Sequence, residues 1–229
     1  ETATIKLARS IDAAPRAKAY PRPEPRPTAD QRDVSLSVTA IDRLRADPYQ
    51  FYAQAILRLR KLDALDAEPS AAWKGEVVHR VLERWHQAGG RAGELFALAS
   101  DELAAMRAHP LVRSLWWPRL AKALEWVDAE LAALAAEGRN WLDSEVEGHI
   151  TFDGVKVHGR IDRFDRLPDG RLAVVDYKTG RSPGPMFEAK ALFQMKFYAL
   201  MLWRVRGEIP AMLQLVYLGN GELLRYVPD

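Results

Sequence analysis

The sequence predicts an α/β protein whose core is a central mixed β-sheet of about five strands flanked by helices. Residues 34–140 repeat apolar side chains at helical spacing, and from Trp141 the pattern changes to the alternation typical of strands. Two turn signals, Asp153-Gly154 and Gly219-Asn220-Gly221, lie between alternating runs and favour hairpins. We therefore expect a mainly helical region at 34–140, followed by a mixed-sheet core at 141–229.

Composition limits the class of protein. The chain has 229 residues, 48% of them apolar, which suits one globular domain, or one domain with an appendage. It has no cysteine, which excludes disulfides, cysteine-ligated zinc and an iron–sulfur cluster held by this chain, and fits a reducing cytoplasm. The 33 basic and 31 acidic residues give a net charge of +2, which neither requires nor excludes a polyanionic partner. No apolar run is long enough to span a membrane.

The first 33 residues form a separate segment in this interpretation. Proline alternates with charge and other residues at 20–27, which favours an extended, solvated linker or tail. The chain begins with Glu1 rather than Met. We therefore expect a fragment of a longer protein, or a processed one, in which residues 1–33 followed an upstream domain.

Several helices are expected in the first half of the folded part. Thr39 followed by Asp42 predicts one helix start, and Asp47-Pro48 predicts the end of that helix and the start of another. The remaining helical stretches of this half lie at 70–88, 94–107 and 118–137.

The second half is expected to contain a three-strand meander, then a helix at 187–206, then a hairpin. The strands of the meander and the hairpin are predicted at 144–152, 155–165, 172–177, 212–218 and 222–227.

A group of charged residues at the strand ends could support chemistry. Asp176 and Lys178 are two residues apart in an apolar strand and therefore share one face of it. Pairing of neighbouring strands can bring Asp162 beside Asp176, and two adjacent carboxylates favour a cation between them. Phosphodiester cleavage needs such a cation and a group that orients water. The alternative is a strand-edge turn with an ordinary surface ion pair.

Three other polar residues are weaker candidates. His79 lies on the helix at 70–88, next to the face made by Glu76, Glu83 and His86, where a solvated polar stripe is the alternative. Gln194 and Tyr198 are four residues apart and share one helix face, which could equally be an exposed polar edge. The chain has no Gly-x-x-x-x-Gly-Lys-Ser/Thr motif and therefore no nucleotide-hydrolysing motor of that kind.

The order of these residues resembles the RecB-type nucleases of the PD-(D/E)XK, or restriction-endonuclease-like, superfamily. The resemblance extends from about Leu36 to the end of the chain. The front half, with Asp47-Pro48-Tyr49, looks most like AddB-type helicase–nuclease subunits, and the back half, from Phe193, looks closer to other RecB-family exonucleases. The matching motifs are Gly75-x-x-x-His79-x-x-x-Glu83, Gly159-Arg-Ile-Asp162, Val174-Val-Asp-Tyr-Lys-Thr-Gly180 and Gln194-x-x-x-Tyr198.

The resemblance implies a restriction-endonuclease-like fold and a role for each motif residue. Lys178 would contact the scissile phosphate or the attacking water, and Gln194 and Tyr198 would position Lys178 or the nucleic-acid backbone. The ligands of Mg²⁺ or Mn²⁺ would be His79, Asp162, Asp176 and the backbone carbonyl of Tyr177. Some relatives hold a four-cysteine iron–sulfur cluster, which this cysteine-free chain cannot hold.

The resemblance also implies an activity: metal-dependent, exonuclease-type hydrolysis of DNA, single-stranded or at duplex ends, in bacterial double-strand-break repair. A helicase subunit or domain would supply the motor, in the cytoplasm at the nucleoid. Two alternatives belong to other classes. One is a catalytically silent nucleic-acid-binding scaffold, and the other is an Ala-rich helical interaction domain, which would leave the motif order unexplained. Exo- versus endonuclease action and cleavage polarity stay open.

Overall fold

The structure is a computed structural model, and it contains two compact units, Glu1–Arg32 and Asp33–Asp229. No helix in the described part of the chain is long and apolar enough to cross a membrane. The described residues are 2–12, 19–24, 26–60, 62, 70–105 and 112–228, with the side chains of 12, 112, 113 and 185–191 outside the description.

The first unit differs from the extended segment that the sequence predicts. It contains helix α1, Ala3–Asp12, and one turn of helix α2, Ala29–Arg32. The first twelve residues contain no proline and include Ala, Leu, Lys and Arg, which favour helix, whereas the proline-rich stretch begins only at Tyr20. Residues 3–11 of α1 are all exposed. The prediction of an extended chain is therefore wrong for α1.

The second unit begins with a helical region. Ser37, rather than Thr39, caps its first helix, because the extended backbone of Ser37 directs its hydroxyl to the Ala40 amide, 3.1 Å away. Asp47 caps the next helix, with Pro48 in its first turn, as the sequence predicts. Residues 106 and 107 of one predicted helix lie outside the described residues. The helices are α3 Val38–Ala46, α4 Pro48–Phe51, α5 Ala71–Gln87, α6 Leu95–Ala105 and α7 Trp117–Ala136, with π-helical turns at Tyr52–Ile56 and Val112–Trp116.

A mixed sheet of six strands forms the core of this unit. The two-residue strand β1, parallel to β3, is the strand that the sequence did not predict. Strands β2, β3 and β4 form the expected antiparallel meander, and β5 lies parallel to β4 and antiparallel to β6. Helix α8, Pro185–Arg206, connects β4 to β5. The strands are β1 Leu36–Ser37, β2 Asn140–Phe152, β3 Val155–Arg166, β4 Leu172–Lys178, β5 Met212–Tyr217 and β6 Glu222–Tyr226.

Each face of the sheet has its own hydrophobic core. Val175 and Tyr177 of β4 point to helices α5, α6 and α7, whereas Val174 points to α3 and α8. Successive side chains of β4 thus alternate between the two faces of the sheet, and both faces are covered by helices. Each buried aliphatic side chain contributes about 1.5–3 kcal/mol. The two cores therefore hold β4 rigidly between two helical layers.

Two facing glycines let α8 approach the sheet closely. Gly148 of β2 pairs with Gly159 of β3. A Cβ on Gly148 would overlap Met201 Sδ, and one on Gly159 would lie 2.9 Å from the Tyr198 ring. A larger residue at Gly159 would therefore displace the Tyr198 ring, whereas one at Gly148 would require the Met201 side chain to move. The glycine of the Gly-Arg-Ile-Asp motif thus sets the position of Tyr198.

A polar network is buried on the α5 side of the sheet. Asp165 accepts hydrogen bonds from Arg139 Nε at 2.5 Å and Arg163 Nε at 2.6 Å, and all three side chains are at most 6% exposed. Arg139 also donates to Gln214 Oε1 at 2.8 Å. Two buried cations thus share one carboxylate, and removing it would leave both positive charges buried without that partner.

His86 extends this network and is buried in its neutral form. Its ring stacks on Trp141 with a centroid distance of 5.5 Å, and its Nε2 lies 3.4 Å from Arg163 Nη1. Burial, with the positive charge of Arg163, lowers the pKa of His86 from 6.5 to about 3. Because Arg163 can only donate, Nε2 is the acceptor of this neutral ring.

We expect His86 to destabilise the fold in acid. Below pH 6.5 the unfolded chain takes up a proton at this ring and the folded chain does not, so stability falls as pH decreases towards about 3. The loss is about 1.4 kcal/mol per pH unit. Urea unfolding at several pH values measures it. His86→Gln keeps an acceptor but does not titrate, so its stability should fall less steeply. Equal slopes for the two proteins would contradict this role.

Candidate active site

Seven polar side chains converge near the end of β4, from both helical layers and three strands. The structure brings together all the side chains that the sequence singled out, and adds one that it did not. They are His79 of α5, Glu145 of β2, Asp162 of β3, Asp176 and Lys178 of β4, and Gln194 and Tyr198 of α8.

Asp162 and Asp176 face each other where β3 and β4 separate. The ladder between these strands ends at Arg163 and Val175, one residue before the two aspartates. The Tyr177 amide instead donates to Asp162 Oδ2 at 2.7 Å. Asp162 is 8% and Asp176 2% exposed. Burial, then the charge of Asp176, raises the pKa of Asp162 well above its ordinary value.

Glu145 lies at this site where the β2–β3 ladder is interrupted, close to a register shift between Trp141 and Asp143. The ladder skips the pair Glu145 and Asp162, and Glu145 has a φ of 52°. A left-handed backbone at a non-glycine residue costs about 1–3 kcal/mol. Ile161 and Phe164 contact the same core although they are three residues apart, so the strand faces exchange here. The pairs on either side of the interruption keep Glu145 opposite Asp162, and both carboxylates lie in one cluster with His79.

His79 faces these carboxylates rather than forming a solvated stripe. Its Nδ1 lies 3.4 Å from Glu145 Oε1 and 3.5 Å from Asp162 Oδ1, and the side chain is 26% exposed. Burial lowers the pKa of His79, but the hydrogen bond to Glu145 and the charge of Asp162 outweigh it, and the net pKa is raised. A cleft of about 610 Å³ opens over His79 and Glu145.

Lys178 is held by a chain of hydrogen bonds from α8. Its Nζ lies 2.6 Å from Asp176 Oδ2 and donates to Gln194 Oε1 at 2.8 Å. The Gln194 amide donates in turn to Asp176 Oδ1 at 3.2 Å and to the Tyr198 hydroxyl at 2.6 Å. Burial, then the charge of Asp176, raises the pKa of Tyr198 and keeps its hydroxyl neutral. Gln194 therefore fixes the positions of both charged groups.

The donor set fits a hard divalent cation. His79, Glu145 and Asp162 each offer one atom, all within 4.8 Å of one another. Glu145 Oε2 and Asp176 Oδ2 are buried without a well-oriented hydrogen-bond donor, although Arg160 Nε and Lys178 Nζ are 2.8 and 2.6 Å away. Buried carboxylate oxygens with one imidazole are ligands that suit Mg²⁺ or Mn²⁺. A cation here would also relieve the repulsion between Asp162 and Asp176.

Tyr177 contributes through its backbone. Its ring is fully buried on the opposite face, near Arg163, and its amide donates to Asp162. The role of its carbonyl as a metal ligand stays a prediction.

Comparisons with known proteins agree with this arrangement. The family profile described as the PD-(D/E)XK nuclease superfamily matches residues 35–226. An uncharacterised protein of Rickettsia conorii is 28% identical over 163 residues, covering 66% of this chain and 20% of its own length. An ATP-dependent helicase/deoxyribonuclease subunit of Streptococcus mutans is 28% identical over 158 residues, covering 65% of this chain and 14% of its own length. The chain therefore spans a fifth or less of these two relatives.

The fold has a counterpart among solved structures. A crystal structure from Eubacterium rectale, provisionally named an exonuclease, superimposes with a TM-score of 0.53 at 14% identity. The superposition covers 90% of this chain and 79% of the other. At this identity the likeness concerns the fold alone. It agrees with the restriction-endonuclease-like architecture that the sequence predicts.

Proposed function

Because the chain belongs to the PD-(D/E)XK nuclease superfamily, we propose that it is a divalent-metal-dependent nuclease that hydrolyses DNA phosphodiester bonds from strand ends. The observation that supports this most is the convergence of Asp162, Asp176 and Lys178 with His79 in one partly buried cluster. A protein that only bound nucleic acid would not need two repelling buried carboxylates. The scaffold alternative is therefore the weaker account.

His79, Asp162 and Asp176 would hold Mg²⁺ or Mn²⁺, with Glu145 as a further ligand or as the group that orients His79. When bound, the cation would neutralise the phosphate and favour ionisation of a water molecule. Lys178 has its ammonium fixed by Asp176 and Gln194, so it can donate to a phosphate oxygen or to the attacking water without reorganisation. Tyr198 keeps Gln194 in place.

We infer that a helicase domain or a separate helicase protein moves the DNA. The chain has no phosphate-binding loop of its own. Its Streptococcus relative carries the words helicase and deoxyribonuclease in its name and is much longer than the matched segment. We propose that the protein processes DNA ends during double-strand-break repair.

The test pairs a metal titration with a cleavage assay. Calorimetry with Mn²⁺ should detect a saturable site, and the same protein should shorten end-labelled DNA with Mg²⁺ or Mn²⁺ but not with EDTA. Product lengths then separate exonuclease from endonuclease action. A protein that binds DNA but neither binds the metal nor cuts would support the scaffold instead.

We expect Glu145→Gln to weaken Mn²⁺ binding about 10- to 100-fold, the range typical of a group that orients or supplements metal ligands. Glu145 contacts His79 and lies with Asp162 in the same cluster, so losing its charge weakens the attraction for the cation. Glu147→Gln, two residues along the same strand and exposed, is the control. Calorimetry measures both affinities. Equal affinities for the two variants would exclude Glu145 from the metal site.

A further inference from the structure

Beside the candidate active site lies a groove of about 770 Å³ that the proposed chemistry does not use. It starts at Thr179 and Gly180, the two residues that follow Lys178. Its other walls come from the first half of α7 and from the turn between β5 and β6. A substrate strand whose scissile phosphate lies at Lys178 would therefore have its neighbouring nucleotides at this groove.

The groove has a preformed rim. The Gly219 amide donates to the Gly180 carbonyl at 2.9 Å, and a Cβ on Gly219 would lie 2.6 Å from that carbonyl group. Asn220 and Ser182 exchange two hydrogen bonds of 3.1 Å. Two loops from different strands are thus fixed together. Only glycine permits so close an approach of the two backbones.

The charge of the groove is positive. Arg119, Lys122 and Arg181 line it, and no carboxylate is among its lining residues in the described part of the chain. All three side chains are exposed. None forms an ion pair with another described residue, whereas Arg160, Arg166, Arg171 and Arg225 of this domain do. Unneutralised cations along a groove suit a phosphate backbone.

Two half-buried indoles complete the groove. Trp116 packs against Trp73 at a centroid distance of 5.8 Å, and the turn at Gly221 rests on one side of the Trp126 ring. Each ring is thus held in place while part of it stays open to the groove. Cations interleaved with aromatic rings are typical of single-strand binding, because unpaired bases stack on the rings. The bases of a duplex are not available for such stacking.

We propose that this groove binds single-stranded DNA on its way to or from Lys178, with phosphates at Arg119, Lys122 and Arg181 and a base against Trp116 or Trp126. This inference rests on the proposed function and adds the substrate form to it. The groove then acts as the site that selects an unpaired strand.

The experiment measures binding of a short labelled thymidine oligonucleotide to the protein in EDTA, so that neither metal binding nor cleavage affects the measured affinity. The Arg119→Ala/Arg181→Ala double variant should bind more weakly, and the slope of log affinity against log salt should decrease by about 1.4, since each single-strand phosphate contact contributes about 0.7. Arg166→Ala/Arg171→Ala is the control with the same charge change. Those arginines flank the start of β4, about 20 Å from Lys178.

Tryptophan fluorescence distinguishes stacking from charge alone. The oligonucleotide should quench the wild type more than a duplex of equal length, and part of that quenching should be lost in Trp116→Phe, which keeps an aromatic ring against Trp73. A double arginine variant that binds with the same affinity and slope as its control would overturn the proposal even if the protein cuts DNA. If the duplex quenches the wild type as much as the oligonucleotide does, the assignment to single strands is overturned. The same holds if the oligonucleotide quenches both Trp116→Phe and Trp126→Phe as much as it quenches the wild type. A protein that cuts nothing but shows both effects would refute the proposed function and support the groove.

Discussion

Replacing Asp176 or Lys178 by alanine should abolish DNA cleavage in two distinguishable ways. Asp176→Ala removes a carboxylate that is 2% exposed and faces Asp162, so both Mn²⁺ binding and cleavage should be lost. Lys178→Ala leaves the carboxylates in place, so Mn²⁺ binding should persist while cleavage falls about 10²- to 10⁴-fold, the range for a group that assists proton transfer or stabilises charge. Calorimetry and a gel assay measure the two properties.

The control for these variants is Lys156→Ala, which removes an exposed lysine from β3 and should leave both properties unchanged. Circular dichroism should show that each variant is folded. A folded Lys178→Ala protein that cuts DNA at the wild-type rate would contradict the role given to Lys178. Metal affinity retained in Asp176→Ala would contradict its assignment as a ligand.

The largest effect on stability is expected from Asp165→Ala. This change leaves Arg139 and Arg163 buried without their shared carboxylate, 2.5 and 2.6 Å from the two guanidinium groups. Removing one partner from a buried ionic group costs about 3–5 kcal/mol. For a chain of this length that corresponds to a melting temperature lower by roughly 6–20 °C. Urea unfolding and thermal melts measure the two quantities.

Asp169→Ala is the matched control, since Asp169 also pairs with an arginine, 2.7 Å away, but at the surface. Its free energy of unfolding should equal that of the wild type within error, because water solvates Arg171 when the partner is lost. Similar losses for Asp165→Ala and Asp169→Ala would mean that the buried network does not support the fold as described.

The sheet and most of the site follow from periodicity. Alternation in β4 placed Asp176 and Lys178 on one face, and the meander placed Asp162 opposite Asp176, because both depend only on strand period and on pairing of neighbours. Spacing of four residues placed Gln194 and Tyr198 together on α8. Periodicity alone could not predict the role of His79, since a residue beside a polar stripe can be either solvated or a metal ligand. The family motif favoured the metal ligand.

Glu145 could not be predicted in the same way. Asp143, Glu145 and Glu147 alternate along β2, and regular alternation would direct them all to one face. The left-handed backbone at Glu145 and the skipped pair with Asp162 distinguish Glu145 from Asp143 and Glu147. A non-glycine residue with positive φ has no local sequence signal, because the surrounding structure imposes it. The prediction of a helix start at Thr39 failed because Ser37, at the end of a two-residue strand, supplies the cap. The prediction of an extended segment failed for α1 because the residues ahead of the prolines favour helix.

The central claim is that a divalent cation held by Asp162 and its neighbours enables this protein to cut DNA. The most direct test compares the wild type with Asp162→Asn on end-labelled single-stranded DNA in Mg²⁺. The amide has the shape of the carboxyl group but no charge, and since it relieves a buried repulsion the variant should fold at least as stably. We expect the wild type to cut the DNA, and no product from the variant or from the wild type in EDTA. Cleavage by Asp162→Asn at the wild-type rate, or cleavage that persists in EDTA, would contradict the account.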